Sequence, residues 1–130
     1  MSHDFNLQSE SGLDMLCRVR EIIARLPEAV EVIDGFGHTS FRVNGKTFVI
    51  LGESEQGDAS ISIKTAKTTQ QFLLLQEGKF FKTPYIGQHG WVSLRYAEED
   101  DWRELGELIR EGYGLSAPKR LLKLLATIDG

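Results

Sequence analysis

At 130 residues, with 41% hydrophobic and 26% charged side chains, the chain has the size and balance of one globular domain. A net charge of −4 sets it apart from strongly basic nucleic-acid binders, and a single cysteine, Cys17, excludes an internal disulfide. No apolar run nears the roughly 20 residues a bilayer requires, and MSHDFNLQSESG lacks the basic start and apolar stretch of a signal peptide, so the sequence reads as cytoplasmic with no membrane partner.

Residues 1–10 are polar and read as a flexible segment; residues 11–130 read as one domain. Ser11 and Asp14 form a partial capping box where a first helix is expected to start. Met15, Leu16, Val19, Ile22, Ile23 and Leu26 recur at helical spacing on one face, and Pro27 ends the pattern. Cys17 beside that face reads as a packed thiol.

Strands follow. Val30 and Val32 flank Glu31 in a short run. Phe41 and Val43 lead into Asn44-Gly45 and then KTFVIL, a strong hairpin signal because both turn residues tolerate positive φ. After a polar loop, Ala59, Ile61 and Ile63 alternate with Ser60, Ser62 and Lys64, extending the hairpin to a meander of at least three strands.

Residues 68–77 read as a short helix capped by Thr68 or Thr69 and stopped by Gly78. Residues 80–85 and 91–96 are two more extended runs around a turn at Gly87 and Gly90, with Trp91, Ser93 and Arg95 facing one way. Residues 101–112 form a helix with Trp102, Leu105, Leu108 and Ile109 inward. Ser116-Ala117-Pro118 opens a last helix carrying Leu121, Leu122, Leu124, Leu125 and Ile128. The order predicts an α+β single domain: an antiparallel sheet with helices packed on it.

Charge is unevenly spread. Residues 97–111 hold seven acids against two arginines, and basic stretches flank them. Lys79, Lys82, His89, Arg95, Lys119 and Arg120 are the candidate nucleic-acid-binding set, giving weak, salt-dependent contacts to phosphate. The plainer reading is a solvated basic rim paired with the acidic helix. Lys119 and Arg120 sit at the positive end of a helix dipole, which calls for a nearby anion, either phosphate or a carboxylate from Glu98–Asp101. Those acids fit a helix N-terminus, with Asp100 as cap, better than a metal site. His3, His38, His89 and Cys17 lack zinc-ligand spacing. Trp91 and Trp102 fit packing roles. There is no GxSxG, P-loop, HExxH or GxGxxG, so the chain reads as non-enzymatic and without a cofactor.

FRVNGKTFVILGE (41–53), SIKTAK (62–67), TPYIGQHGWVSL (83–94), DW (101–102) and APKRL (117–121), in that order and spacing, resemble the MmcQ/YjbR family across roughly residues 13–126. The resemblance implies a small bacterial α+β domain with a secretion-chaperone-like topology, often described as DNA-binding from its fold. The family brings no established catalytic residues, so none is carried over. Two alternatives stand beside DNA binding: a protein-interaction or chaperone-like adaptor, and a small-ligand pocket near His38 and His89.

Overall fold

The computed structural model describes residues 7–76 and 78–129; residues 1–6, including His3, and Glu77 lie outside them. Helix α1 (Glu10–Ile23) starts one residue after Ser9, whose hydroxyl accepts the Gly12 N–H at 3.0 Å. The cap is therefore Ser9 and not Ser11. Leu7, expected in a flexible segment, is buried in the core. Met15, Val19 and Ile23 form the inward stripe of α1. Cys17 falls off that stripe and is exposed, contrary to the packed thiol expected from sequence.

The chain then lays down β1 (Val30–Ile33), β2 (Thr39–Val43), β3 (Lys46–Glu53) and β4 (Ala59–Lys64) as an antiparallel meander. Asn44 and Gly45, at φ of 53° and 74°, make the tight β2–β3 turn. A bulge in this pair lets both Phe48 and Val49 bury themselves on the same face. Helix α2 (Lys67–Leu74) carries the chain across to β5 (Phe80–Lys82), and β6 (Trp91–Arg95) returns between β5 and β4. The sheet order is β1-β2-β3-β4-β6-β5. Helices α3 (Trp102–Ser116) and α4 (Lys119–Asp129) complete the chain.

Strand alternation splits the sheet into two faces. Phe41, Val49, Leu51, Ile61, Ile63, Val92, Leu94 and Phe80 share one face and one apolar core with Val19 of α1, Leu73 of α2, Ile109 of α3 and Leu121 of α4. Helices from every part of the chain thus contribute to the same side. Tyr113 sets the depth of α3: its ring meets Phe48 edge-on at 5.9 Å, and its hydroxyl donates to the Pro27 carbonyl at 2.8 Å. Gly112 lets the helix ride close, since a Cβ there would sit 2.8 Å from the Lys64 carbonyl oxygen.

Local details depart from the sequence reading where a distant residue intervenes. Helix α2 has Ala66 at its N-cap and no side-chain cap of its own. Glu111 of α3 accepts the Ala66 N–H at 2.9 Å and the Thr69 hydroxyl at 3.0 Å instead. Strand β5 stops at Lys82, short of the expected Tyr85: Pro84 has no N–H to give a ladder, and Tyr85 sits at φ 68°. A 3₁₀ turn at Gly87–His89 leads into β6. Another at Glu99–Asp101 opens α3, with Glu98 and Asp101 capping each other reciprocally in place of the expected Asp100. Helix α3 runs past the expected end at Gly112 to Ser116, and Ala117, in extended conformation, ends it ahead of Pro118. No helix among the described residues is long and apolar enough to cross a membrane.

Candidate nucleic-acid interface

The face of the sheet opposite the helices is where strand alternation places a different chemistry. The ladder sets Gly52, Ser60 and Arg95 in one row, with His38 beside Gly52. The next row holds Ser40, Ile50, Ser62, Ser93 and Phe81. Lys64 and Trp91 pair in the row beyond, and Arg42 lies on the same face of β2.

The hydroxyls on this face interlock. Ser62 and Ser93 approach at 2.7 Å, Ser93 and Thr83 at 2.8 Å, and Ser40 donates to the Val32 carbonyl at 2.9 Å. Trp91 is buried, yet it stands apart from the main core cluster, as a residue on the far side of the sheet must. The Arg95 guanidinium lies 4.7 Å from the centre of the Phe81 ring, a cation–π stack on an exposed strand end. Arg42 is half-buried, and its Nε is a buried donor with no partner among the described residues.

By strand parity this face carries Arg42, Lys64 and Arg95 and no carboxylate. The two strand acids point the other way. Glu31 meets Arg20 of α1 at 2.7 Å, and Glu53 accepts the Ser9 backbone N–H at 2.9 Å. Within the strands, then, the cations stand on one face and the two acids on the other, while the loop acids Asp34 and Asp58 stay near the Arg95 end of the sheet.

The six residues singled out from sequence do not gather in one place. Lys79 lies 3.1 Å from both Asp101 and Glu104, and these carboxylates hold its ammonium above the usual lysine range. Arg120 makes a two-pronged pair with Glu28, at 2.6 and 3.0 Å. An internal carboxylate is thus the anion beside the start of α4, and it comes from Glu28 and not from the 98–101 cluster. Within that cluster Asp101 turns to Lys79, and Glu99 pairs with Arg18, whose guanidinium also covers Trp102 at 5.6 Å. Lys119 is exposed at the first residue of α4. Lys82 has the parity of Phe80 and Val92, the helical side, and its stem lies against Gly87. His89 is exposed on the 3₁₀ turn ahead of β6, at the opposite end of that strand from Arg95. Arg95 alone of the six belongs to the open sheet face.

Arg42 and Lys64 were missed because each stands alone in sequence between apolar or hydroxyl neighbours. The available signal was alternation: Lys64 continues the Ser60, Ser62 face already legible in β4.

His38 and His89 lie at opposite ends of the sheet. A hollow of about 490 Å³ at the Arg95 end is lined by His38, Ser60, Glu53, Asp58, Arg95 and Tyr96, with Gly52 and the loop residues Ser54 and Gln56. His38 Nδ1 is 3.7 Å from the Asp34 carboxylate. Tyr96, at φ 57°, is hydrogen-bonded to Asp58, which pushes its phenol pKa up.

The pattern that describes the YjbR family matches residues 24–115, from the end of α1 to the end of α3. The crystal structure of Deinococcus radiodurans protein DR2400, with a domain called DUF419, is similar to this chain in fold: the TM-score is 0.66 at 18% sequence identity, over 77% of this chain and 76% of that one. No curated protein matches the sequence. The family pattern covers the whole sheet together with α2 and α3, and on that ground the chain belongs to the YjbR family.

Proposed function

We propose that this protein is a non-enzymatic binding module that takes nucleic acid weakly on its open sheet face. The observation that carries the reading is the sorting of charge by strand parity: Arg42, Lys64 and Arg95 on one face, with no strand carboxylate among them. Phosphate oxygens are the ligands such a face attracts, and the hydroxyl of Ser60 adds a neutral donor between the cations. Three cations support weak binding of the non-specific kind, with Kd on the order of 10⁻⁴–10⁻⁶ M. Fluorescence anisotropy with a labelled oligonucleotide at low and moderate salt tests it. Binding should weaken with a log–log salt slope of about −2 to −3 for three phosphate contacts. Arg42→Glu with Lys64→Glu should abolish it. Absence of binding at low salt would remove the reading.

A protein-interaction role is the second reading, favoured by α2. Phe72 on that short helix and Leu75 at its C-cap are 64% and 81% exposed, and such side chains are common anchors in protein contacts. A Phe72→Ser, Leu75→Ser variant that binds nucleic acid normally but loses a co-purifying protein would favour it.

A further inference from the structure

We infer that the open sheet face is built for single-stranded nucleic acid and against duplex, with the Arg95–Phe81 stack as the platform for a base. The inference rests on the nucleic-acid reading of the same face and goes further by naming the form of the ligand. Three observations carry it.

The first is width. Six strands at about 4.8 Å spacing give a sheet about 24 Å across, whereas the major groove of B-DNA is about 12 Å wide. Duplex base edges cannot reach side chains lying flat on such a surface. A single strand can lie across it with its bases turned down.

The second is the spread of the cations. Arg95 pairs with Ser60, and Lys64 lies four residues further along the same strand, so the two are about 13 Å apart along the sheet. Arg42 lies two strands further over from Lys64, about 10 Å away. The three positions trace a bent path over the face and do not form one cluster, as a flexible backbone requires and a straight duplex does not.

The third is the stack itself. The Arg95 guanidinium carbon lies over the Phe81 ring, 4.7 Å from its centre, and Arg95 is an exposed residue. Unpaired bases stack on arginine planes as they do on aromatic rings, whereas paired bases offer no free face. The Phe81 ring backs the guanidinium, and Ser93, paired with Phe81 across the strands, is already engaged with Ser62 and Thr83. A base would therefore meet a surface that needs no rearrangement.

The test uses the full chain and four labelled probes of about twelve nucleotides, a length within the range of about 4–16 nucleotides bound by single-strand sites: oligo-dT, oligo-U, and mixed-sequence DNA and RNA duplexes. Single strands are expected to bind at least tenfold more tightly than duplexes at equal salt. Arg95→Lys keeps the charge and removes the plane. It is expected to weaken single-strand binding about five- to tenfold, the lower end of one lost base stack, while the salt slope stays unchanged. Lys79→Gln, on the helical side, should bind like the parent. Equal or tighter duplex binding would overturn the single-strand inference and leave the nucleic-acid reading standing. Parent-like binding by Arg95→Lys would overturn the stacking role. No binding of any probe at low salt, or a dimer by sedimentation that hides this face, would overturn both. Oligo-U bound more tightly than oligo-dT would make RNA the partner, and the reverse would make it DNA, either supporting the single-strand assignment.

Discussion

Glu53, the last residue of β3, accepts hydrogen bonds from both the backbone N–H and the hydroxyl of Ser9, 44 positions earlier in the chain. The same carboxylate takes the Gln8 N–H at 3.0 Å. One side chain thereby docks the segment before α1, fixes Ser9 as the helix cap and helps hold Leu7 in the core. Burial alone would raise the Glu53 pKa, but the Ser9 and Gln8 donors outweigh it and hold the carboxyl below the usual range.

Glu53→Ala should therefore cost more than an ordinary surface change. Losing a charged acceptor for several donors is expected to destabilise by about 1.5–3 kcal/mol. Ser9→Ala removes the cap and should cost about 1 kcal/mol. Because the two share one network, the double variant should lose less than the sum. Urea unfolding of the two single variants and the double variant measures all three values.

Acid should weaken the fold. Glu53, Glu31 and Asp101 are all held below their ordinary values: Glu31 by the Arg20 hydrogen bond, Asp101 by the Glu98 N–H and Lys79 acting against burial. A carboxyl depressed in the folded state binds fewer protons there than in the unfolded chain. Its contribution is fully present above the unfolded value of about 4 and is lost as pH falls through the depressed one. Lys79, held above its ordinary value, contributes below about 10.4 and loses that only as pH rises beyond it. The urea midpoint should stay level from about pH 5 to 9 and drop below about pH 4. A midpoint at pH 3 equal to that at pH 7 would contradict this account.

Gly112→Ala should lift α3 from the sheet. The added methyl would meet the Lys64 carbonyl at 2.8 Å and the Phe48 carbonyl at 3.4 Å, both backbone atoms in paired strands that cannot turn aside. Higher helix propensity would favour alanine by about 1 kcal/mol, but overpacking of about 1–3 kcal/mol should exceed it. Gly114→Ala, with nothing within 4 Å, should be neutral or stabilising. Thermal melts of the two variants should thus move apart, and equal melting temperatures would argue against the close approach.

Glu111→Ala should loosen α2 selectively. Its carboxylate holds the Ala66 N–H and the Thr69 hydroxyl, and α2 has no side-chain cap of its own. Amide exchange in residues 66–74 should accelerate about tenfold or more, matching a local loss near 1.5 kcal/mol, while β2 and β3 keep their protection. Uniform acceleration across the sheet would show instead that Glu111 supports the whole fold.

The pairs Lys79–Asp101 and Arg120–Glu28 make a contrasting prediction for binding. Both cations are occupied and lie away from the open sheet face. Lys79→Gln and Arg120→Gln should leave oligonucleotide affinity within about twofold of the parent, the scatter expected for residues outside an interface, while Lys64→Gln should reduce it and lower the salt slope by about 0.7–0.9.

Local pattern determined much of this protein. Alternation in residues 59–64 set which side of β4 is apolar, Asn44-Gly45 set the hairpin, and helical spacing set the inward stripes of α1 and α3. These depend on neighbours within a few residues, so the sequence alone carries them. The quoted motifs likewise placed the chain in its family. Tertiary structure decided what depends on distant partners. Ser9 displaced Ser11 as a cap because Glu53 reaches it, Glu111 replaced the expected threonine cap of α2, and Glu28 claimed Arg120. The basic set read along the chain was divided among ion pairs and opposite faces. Arg42, Lys64 and Arg95 came together on one face through strand order and register, which no local spacing encodes.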